Sequence, residues 1–181
     1  MRKFTALFAV IAIVLSMALL AGCSGGGAVK TGLGTVISIE KSKDATSDAE
    51  GVAQVDTVMA AVTVDSKGKI VSVTIDTAQT KVTFSADGKI TADKSAELKT
   101  KVEYGDTYGM KKASSIGKEW YEQIADLEKW MVGKTIDQVK AMKVKESDGS
   151  VHTAEPDLTS KVTVDVSDYI AAVEEAVKNA K

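Results

Sequence analysis

Apolar residues fill almost every position from Phe4 to Leu20, interrupted only by Thr5 and Ser16. No run of that kind recurs. From residue 34 the pattern changes to alternation. Residues 34–40, 69–76 and 80–84 place apolar side chains at every second position, the period of a strand with one buried face. Residues 52–65 are rich in Val, Ala and Thr and end in Asp65-Ser66-Lys67-Gly68, so the β runs on either side of that turn predict a hairpin. Ile70, Ser72 and Thr74 point one way and Val71, Val73 and Ile75 the other. Ala86-Asp87-Gly88-Lys89 predicts a further turn.

The period becomes helical from Ser115, with Ile116, Trp120, Ile124, Leu127 and Met131 at steps of three or four. Gly133 closes that helix. Thr135 opens a short one, with Gln138 as its capping-box partner and Ile136, Val139 and Met142 on one face. Residues 145–157 are polar and read as a loop. Val162, Val164 and Val166 alternate again and predict a β segment. Ser167 or Asp168 then caps a last helix running through Asn179, with Ile170, Val173 and Val177 on one side. Strands first and helices later argue an α+β fold: a mostly antiparallel sheet with helices packed on one face.

The first residues carry a separate message. Met1-Arg2-Lys3 is cationic, the apolar run follows, and Leu20-Ala21-Gly22-Cys23 ends it. That is the order of a secretory signal peptide. The run is about 17 residues, at the lower edge of a membrane span, so an uncleaved anchor is the alternative. Leu-Ala-Gly-Cys resembles the lipobox of bacterial lipoproteins, which implies cleavage before Cys23 and lipidation of its thiol. Cys23 is the only cysteine, and lipidation would consume a thiol that has no disulfide partner. Ser24-Gly25-Gly26-Gly27 reads as a flexible spacer. The expected organisation is a signal peptide over residues 1–22, a lipidated Cys and linker over 23–31, and one α+β domain over 32–181. The expected location is the outer face of the cell membrane.

Charge and composition narrow the chemistry. The net charge is −2, and cleavage would remove Arg2 and Lys3 and make the chain more acidic, so no basic face for nucleic acid is expected. One Pro and 27% charged residues suit an ordered globule rather than a disordered stalk. His152 is the single histidine, set among polar residues. No nucleophile–base pair or transition-metal set can be built around it. Asp44, Asp48 and Glu50 lack the loop spacing of an EF-hand. Gly105 and Gly109 lack the Lys of a phosphate-binding loop. Trp120 and Trp130 could stack a planar ligand, although aromatic residues on an amphipathic helix usually belong to a core.

Residues 157–177 carry a more specific pattern: Asp157, Ser160 and Thr163, then a helix with Ile170, Val173 and Val177. This resembles the C-terminal end of the FMN-binding domain family. That family is found in flavin-carrying subunits of sodium-pumping quinone reductases and in extracellular electron-transfer lipoproteins. Its hallmark is Asp-x-x-Ser/Thr-Gly-Ala-Thr, whose last Thr receives FMN through its phosphate. The hairpin over residues 58–76, and Tyr104–Met110 with Ser115–Gln123, are compatible with relatives of that domain. The resemblance covers residues 32–180, at motif level only in the terminal segment. It implies an FMN-binding electron carrier with redox partners at the cell surface and flavin held by Asp157, Ser160, Lys161 and Thr163.

Lys161-Val162 stands where the family has Gly-Ala. Small residues let a chain approach a phosphate with its N–H groups free. Lys161 would offer a charge instead, and Val162 is bulkier. The alternative is a surface lipoprotein that keeps the fold without the cofactor and binds a ligand or a protein partner. Both readings favour a carrier or binding module over a catalyst.

Overall fold

The computed structural model describes residues 27–181. The expected signal peptide and Cys23 lie outside them. Three strands form an antiparallel sheet in the order β1 (Lys30–Ser38), β2 (Gly51–Val64), β3 (Ile70–Phe84). Then come a one-turn helix α1 (Lys101–Tyr104), two 3-10 turns, α2 (Trp120–Met131) and α3 (Ile136–Lys140). A small hairpin, β4 (Val144–Ser147) and β5 (Ser150–Thr153), precedes α4 (Ser167–Asn179). The fold is α+β, as the alternation followed by helical spacing predicts. Lys30 already pairs with Val64 and Thr31 with Thr63, so the sheet takes in residues expected to be linker.

Each inward row of the sheet is apolar at one end only. On β2 the buried row is Val58, Ala60, Val62 and Val64; on β3 it is Val73 and Ile75. Ile70 also faces inward, although alternation puts it with Ser72 and Thr74. The register slips between Thr63 and Val64, which face Ser72 and Ile70 respectively. That bulge takes Val71 out of the pairing and turns it to solvent. Residues 69–76 and 80–84, expected as two strands, are one continuous strand. The lapse in apolar alternation between them is a polar stretch, not a turn.

The two long helices cover the inner face. Trp120, Ile124, Leu127 and Met131 of α2 are buried, the spacing read from the sequence. The helix starts at Trp120 rather than Ser115. Gly117 (φ 64°) turns the chain, and the Glu119 N–H donates to Glu122 Oε2 at 2.8 Å. On α4 the buried residues are Tyr169, Ala172, Val173 and Ala176, while Ile170 and Val177 lie on the flank. This differs from the expected face, and the cause is backbone proximity. A Cβ on Gly32 would lie 2.0 Å from the Ala176 carbonyl oxygen, and one on Gly34 2.1 Å from that of Ala172. The helix therefore turns its alanines, not its larger residues, toward β1.

Two further expectations are corrected. Residues 144–153, read within a polar loop, are a hairpin closed by Asp148-Gly149, both with positive φ (53° and 75°). That is the Asp-Gly chemistry of a two-residue hairpin turn. Residues 161–166 form no strand. Val162 and Val166 are buried, but they sit in turns whose N–H groups bond within the loop or to neighbouring elements. Val166 N–H, for example, donates to the Val151 carbonyl at 2.9 Å. Neither Ser167 nor Asp168 caps α4. The N-cap position is Val166, and Asp165 before it accepts from the Ser167 N–H at 2.9 Å and from the Ser167 hydroxyl at 2.5 Å.

Candidate functional site

The segment singled out by the family resemblance is a compact turn anchored by buried Leu158. Its carbonyl accepts from both the Lys161 and Val162 N–H groups, each at 2.8 Å. The Thr163 N–H donates to Gln123 Oε1 at 2.8 Å, and the Thr163 hydroxyl lies 3.2 Å from the same oxygen. Gln123 is 0% exposed, and its amide nitrogen is held by Ser114 Oγ and the Lys118 carbonyl. Three consecutive amides are thus spent inside the fold. Asp157, Ser160 and Lys161 are exposed, whereas Val162 is buried. Thr163 reaches a small cleft of about 280 Å³ lined also by Ser115, Lys145, His152 and Thr159. Asp157, Ser160 and Lys161 do not line it. A flavin phosphate held by free backbone amides does not fit this arrangement.

The remaining sequence candidates divide clearly. Trp120 is core: it is 1% exposed, and its indole N–H donates to the Tyr169 hydroxyl at 2.9 Å. The two rings meet edge to face at 6.0 Å. Trp130 is half-buried beneath the Lys134 ammonium, 4.3 Å from its ring centre. His152 lines the small cleft from β5. Among the described residues no group of His, Cys, Asp or Glu could hold a metal ion.

A larger polar cleft, about 420 Å³, opens where the apolar rows of β2 and β3 give out. Val58 faces Thr77 across the ladder, and one step on Asp56 faces Gln79. Asp56 accepts from Lys41 Nζ at 2.6 Å, Gln54 Nε2 at 2.6 Å and Gln79 Nε2 at 3.3 Å. Burial works against this carboxylate, but those donors hold it below the ordinary range. The Tyr108 hydroxyl donates to Gln79 Oε1 at 3.1 Å and extends the network.

α1 delivers Lys101 into this cleft. Thr100 and Glu103 cap the helix reciprocally. Asp76 Oδ1 pins it by accepting from the Val102 N–H at 3.2 Å and, on its own strand, from the Thr77 N–H at 2.7 Å. The Lys101 ammonium stands 5.1 Å from the ring centres of both Tyr108 and Trp120. Among the described residues it has no carboxylate within ion-pair distance. Burial, with the Lys41 charge adding to it, pushes its pKa down to about 8. Thr77, 3% exposed, also lines the cleft, and its hydroxyl has no hydrogen-bond partner among the described residues.

The rim is acidic. Glu40 and Asp168 are exposed there, and burial, Asp165 and Glu40 all raise the Asp168 pKa. Asp165 is occupied by Ser167 and by the Val151 N–H at 3.1 Å. None of these residues follows from a motif. The legible sign was the polar interruption of two otherwise apolar rows, at Gln54 and Asp56 on β2 and at Thr77 and Gln79 on β3.

Comparison with known proteins adds little. No family model matches the chain, and no solved structure matches it. A segment covering 23% of the chain is 49% identical, over 41 residues, to chlorophenol reductase of Desulfitobacterium hafniense. That match spans 12% of the reductase, so it assigns neither a family nor an activity.

Proposed function

We propose that this chain is a lipid-anchored, extracytoplasmic binding module that holds a small polar ligand noncovalently in the cleft around Asp56, Thr77 and Lys101. The observation that carries this reading is that one cleft is lined by a half-buried cation with no hydrogen-bonded or ion-paired partner among the described residues and by a buried hydroxyl that is likewise unpartnered. Leaving such groups desolvated is costly, and a ligand that supplies the missing partners offsets the cost. A pocket with a few convergent polar groups and perturbed titration is where binding is expected in an uncharacterised fold. The anchoring half of the proposal rests on the Leu20–Cys23 pattern and the glycine spacer after it.

A second reading, FMN joined to Thr163, is favoured by one observation: Thr163 lines a cleft that also presents Lys145 and His152. Flavin would supply one- and two-electron transfer there. The spent amides of residues 161–163 weigh against it. Intact-mass and native-mass spectra of protein extracted from membranes, after co-expression with a flavin transferase, distinguish the readings. The expected result is an acyl adduct on Cys23, no flavin adduct on Thr163, and a noncovalent companion lost from the Lys101→Met variant. A flavin adduct lost with Thr163→Ala would support the second reading instead.

A further inference from the structure

We propose that the ligand of the Asp56–Lys101 cleft is a small zwitterion of the amino-acid class, its carboxylate deep against Lys101 and Thr77 and its ammonium at the rim between Glu40 and Asp168. This rests on the binding-module reading and names the chemistry the cleft selects.

Charge and depth together select the ligand. Six charged side chains line the cleft, Glu40, Lys41, Asp56, Lys101, Asp165 and Asp168. Lys41 and Asp56 neutralise each other at 2.6 Å. Asp165 is consumed by two backbone N–H groups and the Ser167 hydroxyl. Three charges remain without a hydrogen-bonded or ion-paired partner among the described residues: Lys101, Glu40 and Asp168. They are sorted by depth. Lys101 is half-buried beside two aromatic rings and shares the cleft with the unpartnered Thr77 hydroxyl, whereas Glu40 and Asp168 are exposed.

A simple anion would satisfy Lys101 and Thr77, but it would have to pass the two rim carboxylates and would leave them facing each other. A simple cation would satisfy the rim and gain nothing from the floor. A molecule carrying both charges on one short chain meets both ends, and a charge-assisted bond to Lys101 is strongest where water is excluded. About 420 Å³ suits an amino acid or a short peptide.

The test uses the full chain in low-salt buffer and isothermal titration with glycine, γ-aminobutyrate and ε-aminocaproate. Butyrate and butylamine serve as halves that carry one charge each. At least one zwitterion is expected to bind about tenfold or more tighter than either half, a difference of about 1.4 kcal/mol. Lys101→Met is expected to abolish that binding. Asp168→Asn sits on the exposed rim and leaves the core intact; it is expected to reduce the zwitterion's advantage over butyrate while butyrate binding persists. Thermal melts check that both variants fold. Butyrate binding as tightly as every zwitterion would overturn the ligand class but leave the binding module standing. No binding by any probe would also overturn the class, and the native-mass experiment then decides the broader reading on its own.

Discussion

On the proposed reading, Lys101 is kept for binding rather than for the fold. A half-buried cation beside two rings, with no carboxylate within ion-pair distance among the described residues, costs stability, because its charged form is less favoured in the folded state than in the unfolded chain. The sign follows from linkage. The unfolded lysine keeps its proton to about 10.5, and the folded one releases it near 8. Between those values the unfolded chain binds more protons, so stability rises with pH. Lys41 strengthens the effect, and Asp56 and Asp76 oppose it. Replacement by Met is therefore expected to stabilise the protein by about 1–3 kcal/mol at neutral pH. That gain should shrink as pH rises from 8 toward 10.5, and urea unfolding across that range measures it. A gain independent of pH would place the cause in packing rather than charge. Gln123 does the opposite work, since its buried oxygen satisfies the Thr163 backbone. Gln123→Leu keeps the volume but removes the acceptor, and is expected to cost about 1–3 kcal/mol. Amide exchange at Thr163 should accelerate in step.

At the scale of elements, the contact of β1 with α4 is set by the absence of side chains. Gly34→Val would drive a Cβ into the Ala172 carbonyl, and overpacking against backbone is expected to cost about 3 kcal/mol or prevent folding. A thermal melt of that variant beside Leu33→Val, on the solvent face, separates steric conflict from strand propensity. The same contact explains what was legible in the sequence. The spacing of Trp120, Ile124, Leu127 and Met131 gave α2 its face, because those residues meet a broad apolar sheet. Thr135 and Gln138 gave α3 its cap, because that chemistry is local. Of the face expected for α4, Val173 is buried, but Ile170 and Val177 lie on the flank, because Gly32 and Gly34 bring β1 against the backbone at Ala172 and Ala176. Val162, Val164 and Val166 alternate like a strand, yet among the described residues no strand pairs with them. The burial of Val162 and Val166 comes from neighbouring elements. The cleft was illegible for the reason that its residues come from β2, β3, α1 and α4, and no linear spacing joins them. Its one trace, polar residues interrupting an inward row, resembled the end of a strand.

For the whole molecule, a short apolar start, a lone cysteine and a glycine spacer precede a folded domain that contains, among its described residues, no helix long and apolar enough to cross a membrane. On this account attachment depends on the thiol. Cys23→Ala is expected to move the protein out of the membrane fraction while leaving the domain's melting temperature unchanged. Retention of that variant in the membrane would argue for an uncleaved apolar anchor. On the proposed reading, anchoring would keep the cleft at the membrane surface, where a tethered module would meet its ligand. The most direct measurement of the central claim is a crystal structure of protein purified from its native membranes without added ligand. The account predicts electron density for a small molecule in the Asp56–Lys101 cleft, in contact with Lys101 Nζ and the Thr77 hydroxyl. Density for a flavin continuous with Thr163, with the larger cleft holding only water, would contradict it.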